Sequence, residues 1–234
     1  MQKFRLYGPL VGLMITVQLT CVVLAYKVIS IYGYNFSASG IIYPICFLFA
    51  GVLTEAYGFE LSGRIIWTQL ICQAFFIFFI NIFVFFPSPV GDTVYFLYIS
   101  LYKNMWHVLI ASTLSVISSY FINDFIMSKL KIYYCGRLFF LRFFLSTAIA
   151  TALLVSIAYP INLYGIYSLN EICSIAINTW IYKMAIAILL FPFAATLTRF
   201  IKRIEKIDFY DYGISYNPLK VFNTFSQGEN RYGK

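Results

Sequence analysis

Charge is what this chain has least of. Of its 234 residues only 11% are Asp, Glu, Lys or Arg, against about a quarter in soluble domains. A single histidine, His107, is present. The five cysteines (Cys21, Cys46, Cys72, Cys135 and Cys173) form no CxxC pair and no spacing that fits zinc, so they read as small apolar packing residues, and no metal or cofactor is expected. Walker, H-E-x-x-H and G-x-S-x-G motifs are absent, as is a pair of catalytic carboxylates, so nothing argues for an enzyme. There is no convincing internal repeat.

What is present is apolar surface: 61% of residues are hydrophobic and 21% aromatic. A chain of this length cannot hide so much in one core, and the same numbers exclude disorder. In a bilayer the outside is apolar too. The apolar runs are long and do not alternate, so the sequence predicts an all-α integral membrane protein and not a barrel.

Six spans of about 20 residues can be drawn. They are Leu6 to Tyr26, Ser39 to Glu55, Ile65 to Phe86, Tyr102 to Met127, Leu138 to Tyr164 and Ile172 to Phe200. An interfacial lead-in at Asp92 to Leu101 precedes the fourth, and Pro44, Pro160 and Pro192 fall inside spans. Residues 1–200 form the transmembrane domain and 201–234 a polar tail. Six spans put fourteen Lys and Arg on the side of the termini and two, Lys27 and Lys103, opposite, with Lys183 inside a span. By the positive-inside rule both termini are cytoplasmic. The net charge of +8 needs no nucleic-acid partner on this reading.

Ionisable groups within spans are functional candidates by default. Here these are Glu55, His107, Asp124, Arg142 and Lys183. Asp124 and Arg142 lie near span ends, where snorkelling could satisfy them, whereas Lys183 sits too deep. With Trp67, Gln73, Asn123, Ser146 and Thr147, these groups suit a small, flat, polar heterocycle: aromatic faces for stacking, amides and a carboxylate for its edge.

Several segments read together. Glu55-Ala56-Tyr57-Gly58 is followed by Arg64-Ile65-Ile66-Trp67. Asn123 precedes Lys129-Leu130-Lys131, Gly136-Arg137, Arg142 and Ser146-Thr147. Lys183 precedes Pro192, Lys202-Arg203, Asp208-Phe209-Tyr210-Asp211 and Asn217-Pro218. This order resembles the VUT family, the YhhQ-type transporters of queuosine precursors, from about Pro44 to Pro218. The resemblance implies a six-helix arrangement similar to the substrate-binding components of energy-coupling-factor importers, and uptake of deazaguanine bases. It puts Glu55, Asn123, Arg142, Ser146, Thr147 and Lys183 on family-pattern positions. The family pattern often has acids where this chain has Gly51, Tyr120, Thr151, Leu154 and Ala187, so a cationic ligand is not expected. Lys183 should be held by Glu55, by carbonyls freed at Pro44 or Pro192, or by the ligand. The alternatives are a vitamin-binding component of an ATPase-driven importer and a non-transporting membrane scaffold. The first span has only Gly8-x-x-x-Gly12 in place of an A-x-x-x-A docking pair, which favours an autonomous carrier. A homodimer stays open.

Overall fold

A computed structural model describes residues 4–25, 27–31, 34–86, 93–102, 105–165, 167–222 and 228–233. The chain runs α1 (Tyr7–Val23), a β1–β2 hairpin (Val28–Ile31, Tyr34–Ser37), α2 (Ala38–Val84), α3 (Thr93–Tyr102), α4 (Met105–Tyr133), α5 (Phe139–Leu163) and α6 (Leu169–Glu205). Short strands β3 (Phe209–Tyr210) and β4 (Glu229–Asn230) pair in the tail. Among the described residues, four helices are long and apolar enough to cross a membrane by length and composition: α2, one within Tyr95–Tyr133, α5 and α6. α1 is apolar but has only 17 residues. Large hydrophobic side chains such as Phe75, Phe79, Phe83, Leu189 and Phe193 are exposed, as lipid-facing residues must be.

The expected second and third spans form one 47-residue element with a single non-helical residue, Gly58 (φ 82°, ψ 175°). Side-chain contacts show that the element folds back there. Thr54 Oγ1 lies 3.0 Å from Ser62 Oγ, although eight residues of straight helix rise about 12 Å. Cys46 Sγ and Gln73 Oε1 both reach the Gln18 amide, whereas a straight helix would hold residues 46 and 73 about 40 Å apart. α2 is therefore a hairpin with arms 38–57 and 59–84. Gly58 occupies a backbone region costly for any other residue, and a Cβ there would stand 2.6 Å from Asp211 Oδ1.

The start of α1, the bend of α2, the end of α4, the start of α5 and the end of α6 meet at one end of the bundle. Leu6 N–H donates to Glu205 Oε1 (2.5 Å) and Tyr7 Oη donates to the Leu61 carbonyl (3.0 Å). α4 stops at a turn where Gly136 (φ 76°) donates its N–H to the Lys131 carbonyl, so α5 starts beside α4's end. α6 starts with a capping box between Ser168 and Glu171.

α6 runs on to Glu205, five residues into the expected tail. The tail is also not free: Arg64 Nε donates to the Val221 carbonyl (2.8 Å) and Trp67 Nε1 to the Pro218 carbonyl (2.9 Å). The lead-in became α3, with Asp92 and the Pro87–Pro89 loop outside the described residues. The β1–β2 hairpin was not anticipated.

Candidate functional site

Glu55 ends the first arm of α2 and is buried. Arg142 grips it in a two-pronged pair, Nη1 to Oε2 at 2.5 Å and Nη2 to Oε1 at 3.2 Å. Arg142 is set up by its own turn, whose Arg137 and Gly136 carbonyls accept from Nε and Nη2. Lys202, near the end of α6, donates to Glu55 Oε1 at 2.7 Å. Lys131, on the last turn of α4, lies 3.9 Å from Oε1 and donates to the Glu55 main-chain oxygen at 2.6 Å. Asp208 of the tail closes the cluster, bound by Lys131 (2.6 Å) and Lys202 (2.8 Å). Helices α2, α4, α5 and α6 and the tail are thus tied through one carboxylate. Charges this deep hold together only when paired and hydrogen-bonded.

One residue before Glu55, Thr54 reaches the next acid differently. Asp124 is fully buried, and its Oδ1 accepts from Thr54 Oγ1 (2.7 Å) and Asn123 Nδ2 (3.3 Å). Among the described residues no lysine or arginine pairs with Asp124, and its Oδ2 has no hydrogen-bond partner. Just beyond, Asp211 of the tail caps the second arm of α2: both its oxygens accept from Phe59 N–H, at 3.2 and 3.1 Å. Ser128 donates to Asp211 Oδ2 at 2.5 Å. Burial pushes the Asp211 carboxyl up, and the Ser128 and Phe59 hydrogen bonds pull it part of the way back.

Lys183 lies farther into the bundle. From the contact between Phe143 and Phe191, two helical turns toward the opposite end bring α5 to Thr151 and α6 to Lys183. Lys183 is 4% exposed and its ammonium stands 4.8 Å from the centre of the Tyr43 ring. No carboxylate pairs with it among the described residues. Glu55, the partner expected from sequence, is engaged elsewhere. Beside it Phe47 stacks on Tyr120 at 4.9 Å, a face-to-face platform inside the membrane. Gln18 links to Gln73, and Gln73 donates to Ser112. The side-chain atoms of Gln69, Asn123 Oδ1 and Thr147 Oγ1 are buried with spare hydrogen-bonding capacity among the described residues.

The sequence-selected residues therefore separate. Glu55 and Arg142 form the ion cluster, and Arg142 and Asp124 are wholly enclosed, so the snorkelling expectation fails: the docked tail and neighbouring helices cover those span ends. Trp67 anchors the tail. Gln73 belongs to the Gln18–Ser112 ladder. Among the described residues, Ser146 bonds to its own helix and to Met127 Sδ. His107 is exposed at the far end. Gly51, Tyr120, Thr151, Leu154 and Ala187, where the resemblance led to an expectation of acids, are all buried in this bundle. Lys131, Lys202, Asp208 and Asp211 entered the sequence reading as parts of the family-like segments but not as site candidates, and Tyr43 not at all, because each sits where a charge or a tyrosine is ordinary.

Neither the curated proteins nor the solved structures provide a match to this chain. A family profile does match, over residues 37–197, well over half of the chain. The match takes in Glu55 to Gly58, Arg64 to Trp67, Asn123 to Thr147 and Lys183, and stops before the tail motifs. This multi-pass, helical membrane protein belongs to the Vut_1 family, described as putative vitamin uptake transporters.

Proposed function

We propose that this chain is an inner-membrane uptake carrier for an uncharged, flat heterocycle of the deazaguanine type, a precursor of the tRNA base queuosine. The observation that carries this reading is Lys183, buried mid-bundle on the Tyr43 ring without a carboxylate, next to the Phe47–Tyr120 platform. An ammonium so placed repels a cationic ligand and attracts the carbonyl or nitrile end of a neutral one. Asn123, Thr147 and Lys183 are the ligand-facing candidates, and the buried Gln69 and Gln73 lie on a neighbouring face. Glu55 and Arg142 then serve as a lock at the mouth next to the tail, with Trp67 holding the tail and Ser146 packing beside them. The α2 hairpin supports six crossings, and the basic residues gathered at the Gly58 end support cytoplasmic termini.

The test is uptake complementation. Cells unable to make queuosine receive the chain and one precursor at a time, and queuosine in tRNA is assayed. Cyano-deazaguanine should be preferred over aminomethyl-deazaguanine and queuine, which carry an amine. If the amine-bearing bases outcompete the neutral one, the charge argument is wrong. If no base is taken up by cells that express the chain normally, the substrate class is wrong.

A further inference from the structure

Two carboxyl groups stand at one level of the bundle, reached from neighbouring residues of α2, and they are treated in opposite ways. Glu55 is met by Arg142, Lys202 and Lys131. Asp124 is met by none of them, although it is just as deeply buried. Among the described residues, Asp124 is hydrogen-bonded by Ser62, Thr54 and Asn123 and faces the charge of Asp211. On α4 the polar groups at this level are Asn123, Ser128 and Lys131, and Lys131 is spent on Glu55, Asp208 and the Phe209 carbonyl. From the two arms of α2 come Thr54 and Ser62. From the tail comes Asp211, a second acid. The cations of α5 and α6 at this level, Arg142 and Lys202, are both committed to Glu55.

Hydrogen-bond counting distinguishes the two protonation states. Thr54 has one hydroxyl proton and three neighbours within 3.0 Å: the Ala50 carbonyl, Ser62 Oγ and Asp124 Oδ1. The Ala50 carbonyl can only accept. If Asp124 is ionised, Thr54 must choose between that carbonyl and the carboxylate. If Asp124 carries a proton, it donates to Thr54, and Thr54 keeps its own proton for the Ala50 carbonyl or Ser62 Oγ, so the carboxyl no longer competes for it. A buried carboxylate facing no cation and a second acid is costly, and the neutral acid is not.

Resting on the transport reading above, we propose that Asp124 is the proton-binding group of this carrier, so that its substrate moves together with a proton. The carboxylate takes one proton to become the neutral acid bonded to Thr54, and returns it to water on the cytoplasmic side after the substrate has left. At one proton per substrate, a pH gradient of one unit supports about tenfold accumulation.

Two measurements on the full chain decide it. The first needs no substrate: infrared difference spectra of the protein in nanodiscs, titrated with pH. The C=O stretch of a protonated carboxylic acid should be present at neutral pH and missing from Asp124→Asn, and Thr54→Val should shift the pH at which it vanishes. Absence of that band overturns the proposal whatever the uptake data say, and Thr54→Val tests it if the Asn variant does not fold. The second is uptake of cyano-deazaguanine into proteoliposomes. Wild type should accumulate it up an inward acid gradient, and Asp124→Asn, an imitation of the protonated state, should exchange it without responding to the gradient. Wild-type uptake that ignores the gradient while the band is present refutes proton coupling and leaves the transport reading standing. A band with no uptake of any base overturns the transport reading, and the coupling role falls with it.

Discussion

The Glu55 cluster can be tested by removing one charge. Glu55→Gln keeps the volume and one acceptor oxygen but withdraws the negative charge shared by Arg142, Lys202 and Lys131. Lys202 and Lys131 both keep Asp208. Arg142 keeps only main-chain carbonyls, and it has no exposure through which to recruit water or an anion. Breaking one partner of a buried pair costs about 3–5 kcal/mol, and the retained amide oxygen puts the cost near the lower end, about 3 kcal/mol. At roughly 2–4 °C per kcal/mol for a chain of this size, unfolding should come about 6–12 °C earlier. Tryptophan fluorescence during heating, with the protein in nanodiscs, reads this directly. Arg142→Met should cost a similar amount, and the double variant should cost less than the sum by about 1–3 kcal/mol. A Glu55→Gln protein that melts within a degree of wild type, or strictly additive variants, would refute the idea that this pair ties the helices together.

Other outcomes follow from single contacts. Gly58→Ala forces a Cβ into a left-handed region and against Asp211, and should cost at least about 1–2 kcal/mol in the same melting assay. Trp67→Phe removes the donor to Pro218, so limited proteolysis should cut within residues 207–222 faster while the melting point falls only by an amount equal to about 1 kcal/mol. Because burial raises the Asp211 carboxyl, the folded protein holds its proton more tightly than the unfolded chain does. The stability that Asp211 contributes should therefore fall as pH rises from the ordinary aspartate value through the raised one and then level off, and Asp211→Asn should make the pH slope shallower by that share. Reporter fusions after Lys234 and in the 87–92 loop should report opposite sides of the membrane, and the same side for both would refute the six-crossing arrangement.

The sequence made the helices and the isolated ionisable residues legible. A charge inside an apolar run stands out whatever surrounds it, which is why Glu55, Asp124, Arg142 and Lys183 could be singled out. Their partners could not be found that way. Lys131 and Lys202 sit at helix ends, where basic residues are ordinary, and Asp208 in a polar segment read as solvent-exposed. That these three converge on Glu55 depends on contacts spanning 76 to 147 residues, and no local period encodes those. The bend at Gly58 was hidden for a related reason. The stretch from Glu55 to Arg64 has enough polar residues to look like a loop, yet reversing the chain takes one glycine, because the tail supplies the cap for the helix beyond it. Lys183 shows the converse: its depth was legible, its seat on Tyr43 was not.

That cap has a bearing on how the protein is made. Phe59 N–H and Asp211 are 152 residues apart. At a synthesis rate of 5–20 residues per second, the α2 bend emerges from the ribosome roughly 8–30 s before the carboxylate that caps it. Asp208, which completes the ion cluster, emerges in the same last segment. During that interval the hairpin must wait in the membrane with an uncapped helix start, and Lys131 emerges 77 residues before Asp208, the acid that pairs with it. Tail docking therefore comes after every membrane helix has been made. A nascent chain truncated before residue 208 should be a substrate for membrane quality control, even though every apolar helix is already in place.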